Sequence, residues 1–236
     1  MTVEYQGRMR RPILLALIAT TCSVVAAPAL AATDDGQIWT TLSTTVKLSD
    51  QWRLQNELVG RFSSNRNGLY EIEAVTLVGF KPSKNITLAA GYVFNPQYSN
   101  GDYTLAEHRF REQVTFDNLA HFATGTFSAR MRMEERWRDH LDGTGWRARP
   151  YLKYSLPLGK HTKTALTLSS EFFFNLNTTV FQKQSGLDRM RNLIAISTPL
   201  TKSISAEVGY LDQHGFVRGG PDTNDHVVSL SLSLNL

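Results

Sequence analysis

The last nine residues, Val228-Ser229-Leu230-Ser231-Leu232-Ser233-Leu234-Asn235-Leu236, alternate between apolar and polar side chains without a break. Successive side chains of a β-strand lie on opposite faces, so this stretch reads as a strand with one apolar and one polar face. A slip of one residue in its pairing would exchange the two faces, and the pattern therefore constrains register strongly.

The same period recurs upstream. Ile38, Leu42 and Val46 oppose Trp39, Ser43 and Lys47; Trp52, Leu54, Leu58 and Phe62 oppose Arg53, Gln55, Glu57 and Arg61, with Ser49-Asp50 as the turn between them. Tyr70, Ile72, Ala74, Val78 and Phe80 form one face, and Ile86, Leu88, Ala90, Tyr92 and Phe94 another. Phe127, Ala129, Met131, Met133 and Trp137 alternate with Ser128, Arg130, Arg132, Glu134, Arg136 and Arg138, and Leu166, Leu168, Phe172 and Phe174 with Thr167, Ser169, Glu171 and Asn175. Eleven segments emerge, near residues 37–48, 51–63, 69–81, 86–95, 105–119, 125–138, 146–156, 164–177, 187–198, 203–213 and 225–236. No stretch beyond Thr33 carries helical spacing.

A soluble sandwich would also alternate, with its apolar faces inward. Three features favour a barrel in a membrane. The segments have transmembrane length. Trp52, Phe62, Tyr70, Phe80, Tyr92, Phe94, Trp137 and Trp146 sit near their ends as an interfacial girdle would. Short connections near 49, 82, 120, 157 and 199 alternate with longer ones near 63–68, 95–104, 139–145, 176–187 and 214–224. The expected fold is all-β: a single antiparallel transmembrane barrel of the outer-membrane type, with 10 to 12 strands. Bacterial barrels normally have an even number, so twelve is favoured over the eleven segments counted. Bulges are expected at Pro150, which cannot donate to a ladder, and at Glu112 and Glu135, which fall on the apolar face.

The N-terminus supplies the address. Arg8, Arg10 and Arg11 precede an apolar run from Ile13, and Ala29-Leu30-Ala31 has the small-x-small pattern of a cleavage site. Residues 1–31 read as a cleaved signal peptide and residues 32–236 as the barrel, in the outer membrane of a Gram-negative bacterium. An uncleaved anchor is the alternative, since residues 13–32 could span a bilayer. Cys22 is the only cysteine, and the leucine expected before a lipidated cysteine is missing. A mature chain without cysteine has no disulfide, thiolate metal site or cysteine nucleophile. The 42% hydrophobic content of the full sequence excludes a disordered chain, and cleavage would lower the formal charge from +4 to +2.

Several motifs recur in a known order: Ile38-Trp39, Glu57 with Arg61, Gly91-Tyr92, Glu107-His108-Arg109, Arg130 through Arg136, Glu171-Phe172-Phe173-Phe174-Asn175, the Arg189 and Arg191 region, and Gly209-Tyr210-Leu211. Together they resemble the bacterial outer-membrane proteins grouped as domain of unknown function 2490, across nearly all of residues 37–236. The resemblance implies an outer-membrane β-barrel and no established activity. The chain departs from barrels in general by ending in Leu236, where the barrel-assembly machinery usually meets an aromatic residue.

With the apolar faces outward, the lumen would hold seven acids (Glu57, Glu71, Glu73, Glu107, Glu134, Glu171, Glu207) and thirteen bases (Arg53, Arg61, Arg109, Arg111, Arg130, Arg132, Arg136, Arg138, Arg147, Arg149, Lys153, Arg189, Arg191). The candidate charge network is this set without Glu71, Glu73, Glu207, Arg147, Arg149 and Lys153. The row Arg130, Arg132, Glu134, Arg136 and Arg138 is the group expected to control any pore property. Arginine's planar fork suits such networks, in which neighbouring strands pair their charges and fill a narrow lumen. Unpaired arginines would instead attract an anionic solute or a lipopolysaccharide phosphate.

The readings are therefore a structural or passively conducting barrel surrounded by outer-membrane lipid and lipopolysaccharide; an outer-membrane lipid hydrolase; or a soluble periplasmic barrel with an apolar cavity. A hydrolase would need a nucleophile, a base and an orienting group in reach. His108 is the one histidine well inside a strand, flanked by acids and facing outward, but no local motif marks a serine. His121, His140, His161, His214 and His226 have no metal-ligand spacing. No cofactor is expected, and no nucleic-acid motif occurs.

Overall fold

The computed structural model describes residues 33–160 and 162–236, so the signal-peptide reading of residues 1–31 lies outside the described residues. Eleven strands follow one another: β1 (Thr33–Lys47), β2 (Trp52–Ser63), β3 (Gly68–Ser83), β4 (Ile86–Ser99), β5 (Asp102–Phe122), β6 (Gly125–Arg138), β7 (Leu141–Pro157), β8 (Ala165–Asn175), β9 (Gly186–Pro199), β10 (Ile204–Gly215) and β11 (Thr223–Asn235). Each pairs antiparallel with the next, and the sheet closes on itself where β1 meets β11. No described helix is long and apolar enough to cross a membrane.

The closure corrects the expectation of twelve strands. Eleven is odd, so β1 and β11 run parallel, in register from Thr33 opposite Thr223 to Thr45 opposite Asn235. Leu236 continues the seam, its N–H donating to the Thr45 carbonyl at 2.8 Å while its own carbonyl accepts from the Lys47 N–H at 2.8 Å. Parallel ladders are only slightly weaker per residue than antiparallel ones, so an odd barrel loses little at a single seam.

The faces fall as the alternation requires. Ile38, Leu42, Leu58, Val78, Leu88, Met131, Leu152, Ile194, Val208 and Leu230 point outward and are exposed, whereas Arg61, Glu73, Glu107, Arg109, Arg111, Arg132, Glu134, Arg136 and Glu171 are buried inside. This is the reverse of what a barrel with an apolar ligand cavity needs. One stretch of inner wall is nevertheless apolar, where Val75 and Leu77 of β3 meet Ala89 and Val93 of β4.

Three local expectations change. Tyr70 points inward, because the β2–β3 register shifts between Arg61 and Phe62 and the extra residue turns the tyrosine into the lumen. Pro150 keeps its register against Met131, and Glu112 and Glu135 remain in regular pairing opposite Met133 and Trp146, so none of the three makes a bulge. The connections near 95–104 and 139–145 are mostly strand: pairing runs on through Gln97–Leu105 to Ser99–Asp102, and to Arg138–Leu141. Asn100 and Gly101 close the first of these hairpins with φ of 52° and 88°, the left-handed pair that a type I′ turn requires. Residues 176–185 and 216–222 remain the longer connections at that end, hereafter the loop end. The opposite end, with the turn at Ser49-Asp50, is the turn end.

Candidate functional site: the charged lumen

β-strand alternation places one inward side chain every second residue, so adjacent strands with Arg at these positions face Glu on their neighbours. Glu73 of β3 accepts from Arg109 at 2.8 Å and Arg111 at 2.6 Å, with Arg61 at 3.6 Å. Glu107 of β5 holds Arg109 at 2.6 Å, Arg136 at 2.9 Å and Arg138 at 2.7 Å. Glu134 of β6 holds Arg111, Arg147 and Arg149 at 2.9, 2.6 and 2.8 Å. Glu171 of β8 holds Arg130 at 2.7 Å and Arg149 at 2.9 Å, with Arg191 at 4.0 Å. Glu71 pairs with Arg61.

Arg109, Arg111 and Arg149 each bridge two carboxylates, so these pairs are one connected array. Each buried glutamate is surrounded by three guanidiniums, which offsets the desolvation of its charge; removing one member would strand the others. The centre of the array is shielded from solvent. The Glu107 and Glu134 side chains have no exposed surface and that of Arg111 has 1%.

Of the sequence-predicted residues, Arg61, Glu107, Arg109, Arg111, Arg130, Glu134, Arg136, Arg138, Glu171 and Arg191 come together here. Among the described residues Arg132 donates only to Gln113, at 2.9 and 3.1 Å, and Arg189 only to Gln213, at 3.4 Å. Arg53 and Glu57 stay out of the array. Arg53 donates to the carbonyls of Ser49 and Trp52 at the β1–β2 turn, and Glu57 lines a separate cavity. Neither has an ion-pair partner among the described residues. Glu71, Glu73, Arg147 and Arg149, counted on the inward face but left out of the candidate network, belong to it.

Aromatic rings complete the site. Phe173 is 1% exposed, and the guanidiniums of Arg147, Arg149, Arg189 and Arg191 lie 4.4–5.9 Å from its centre. Trp39 stacks under Arg61 and Arg191 at 4.3 and 4.6 Å, and donates its indole N–H to Gln37. The β8–β9 loop folds over the mouth. Gln182, 2% exposed, accepts from Arg136 at 2.9 Å and donates to the carbonyls of Asn177 and Trp146, while Phe181 lies beneath Arg136 and Arg138. The sequence gives no periodic signal for Gln182, which lies in a loop.

The array divides the bore. On the loop-end side is a cavity of about 450 Å³ lined largely by arginine. On the turn-end side is one of about 690 Å³ lined by Thr41, Ser43, Ser155, Thr167, Ser197, Ser231 and Ser233, with Glu57, Glu207, Lys153 and Lys163. On the outer wall His108 faces outward, bonded to Tyr92 at Nδ1 and to Asp139 at Nε2, 3.0 Å away. Tyr103 and the Ala106 N–H also donate to Asp139. His108 first, then Tyr103 and that amide, hold the Asp139 carboxyl below its ordinary pKa. No described group of three or more His, Cys, Asp or Glu is placed to hold a metal ion.

A closed eleven-stranded sheet with an apolar outer surface and an Arg–Glu core defines a β-barrel protein whose polarity is inverted relative to a soluble fold. The chain belongs to the family described as "Protein of unknown function (DUF2490)", whose pattern matches residues 36–224. It is 28% identical over 224 residues to an uncharacterized protein of Methylorubrum extorquens, covering 92% of this chain and 93% of that one. No solved structure matches it.

Proposed function

We propose that this protein is an outer-membrane β-barrel that spans the membrane as a closed, side-chain-filled cylinder, and that it serves as a structural element in contact with lipid and lipopolysaccharide. The observation that carries this reading is the zero exposure of Glu107 and Glu134 in the loop-end half of the bore, where a conducting pore would need water. The outward rings support the membrane placement. Trp52 packs on Phe80 at 5.0 Å and Phe127 on Tyr154 at 4.7 Å at the turn end, and Phe62, Phe94, Trp137 and Trp146 are exposed toward the loop end.

The test combines location with conduction. The protein should fractionate with outer membranes, migrate faster on gels unboiled than boiled, and give no steady current in planar bilayers. A soluble fraction would overturn the placement, and steady conductance would overturn the closed bore. Lipid hydrolysis is the second reading, favoured by the outward His108–Asp139 pair; only the Tyr92 hydroxyl bonds to that imidazole where a nucleophile would stand. Release of fatty acid from phospholipid vesicles, lost in His108→Ala, would support it.

A further inference from the structure

We propose that the loop-end cavity is a binding site for a phosphate-bearing anion. Nine of the side chains lining it are arginines, against three carboxylates, those of Glu71, Glu73 and Asp225. The glutamates of the array are already spent on several guanidiniums each, so they leave much of this positive charge unneutralised. A surplus of charge inside a low-dielectric wall is costly unless a counter-charge enters.

Arg191 is the clearest case. Its side chain is nine-tenths buried, clamped between the rings of Trp39 and Phe173, both 4.6 Å from the guanidinium carbon. Its Nε donates to Gln213 at 2.7 Å. The carboxylate nearest its terminal nitrogens is that of Glu171, 4.0 Å from Nη1, beyond hydrogen-bond reach and already held by Arg130 and Arg149. The fork is thus held rigid and lines the cavity with unspent donors, the arrangement that recognises phosphate oxygens. At the rim Arg66 rests on Tyr70 at 4.5 Å with no carboxylate partner among the described residues, and would be met first by an entering anion. A volume of about 450 Å³ accommodates one or two phosphate groups with part of their carrier. Those groups could belong to a small soluble phosphate ester or to a phosphorylated lipid headgroup reaching over the rim.

The experiment uses the purified chain of residues 32–236, folded in neutral detergent, so its outcome does not depend on which membrane the protein occupies. Inorganic pyrophosphate is titrated while tryptophan fluorescence, to which Trp39 beneath Arg191 contributes, and the thermal midpoint are followed, with sodium chloride at matched ionic strength as reference. Saturable quenching and a raised midpoint are expected. Arg191→Gln should weaken binding about tenfold, equivalent to about 1.4 kcal/mol. Arg66→Gln, at an exposed loop position that leaves the barrel intact, should weaken it roughly threefold, and Lys153→Gln in the turn-end cavity should not change it. Absence of saturation with pyrophosphate and with phosphorylated lipid alike, or equal loss in Lys153→Gln and Arg191→Gln, would overturn the proposal. A second arm replaces pyrophosphate with micelles doped with a bisphosphorylated glycolipid or with phosphatidylcholine. A response to the phosphorylated micelles alone assigns the site to a lipid headgroup, a response to pyrophosphate assigns it to a soluble phosphate, and a response to neither rejects it.

Discussion

The two halves of the bore are built from the same strands with the same alternation, yet they hold different matter. Toward the loop end the inward positions of β5 to β9 are mainly Arg and Glu, and the space is crossed by ion pairs. Toward the turn end the inward positions of β1, β7 to β9 and β11 are mainly Ser and Thr, whose short side chains leave a cavity of about 690 Å³ with few contacts across it. Period two fixes which way a side chain points, and side-chain length decides whether the centre is filled. Rigidity should therefore be concentrated in the charged half.

The largest effect should come from the centre of that half. Glu134→Gln leaves Arg111, Arg147 and Arg149 without their shared carboxylate and should cost about 3–5 kcal/mol, read as a lower urea midpoint in detergent and earlier loss of the fast-migrating band on heating. Next is Phe173→Leu, which keeps an apolar side chain but removes the ring under four guanidiniums; about 1–2 kcal/mol is expected by the same assay. Glu207→Gln in the hydroxyl-lined half should change the midpoint by less than about 0.5 kcal/mol. Equal losses in Glu134→Gln and Glu207→Gln would erase the distinction between the halves.

The smallest effect is local, at the outer edge of the charged half. Hydrogen bonds from His108, Tyr103 and the Ala106 amide keep the Asp139 carboxyl below its ordinary range, so the unfolded chain takes up this proton at a higher pH than the folded one. Its contribution is complete above the unfolded carboxyl value of about 3.9 and is lost as pH falls through the lower folded value. Hydrogen exchange at Ala106, normalised for the intrinsic rate, should show protection that persists into mild acid and then falls. Asp139→Asn should weaken that protection already at neutral pH.

Much of this was readable from residues alone. The alternation in Leu230 through Leu236 and in Arg130 through Arg138 fixed the faces, and the segment boundaries lie close to those of the strands. The odd count was also readable, but the preference for even barrels argued against it; nothing in either terminal strand says whether its partner runs parallel. Tyr70 could not be placed, because one bulge residue reverses the face assignment and Leu69-Tyr70 is apolar in either register. Phe172-Phe173-Phe174 covers both faces at once, so the inward ring carries no periodic signature. The pairing of particular arginines with particular glutamates depends on the stagger between strands, which a one-dimensional pattern does not encode.

The parallel seam has a consequence for how the cylinder is made. Every other ladder joins neighbours in sequence and can zip from a hairpin, whereas this one joins β1 to β11, with Thr45 set opposite Asn235. Until β1 and β11 meet, the open sheet carries two bare edges, each a template for adventitious pairing. The β1–β11 seam, with the two hydrogen bonds of Leu236 among its contacts, therefore acts as a latch that commits the sheet to its closed form.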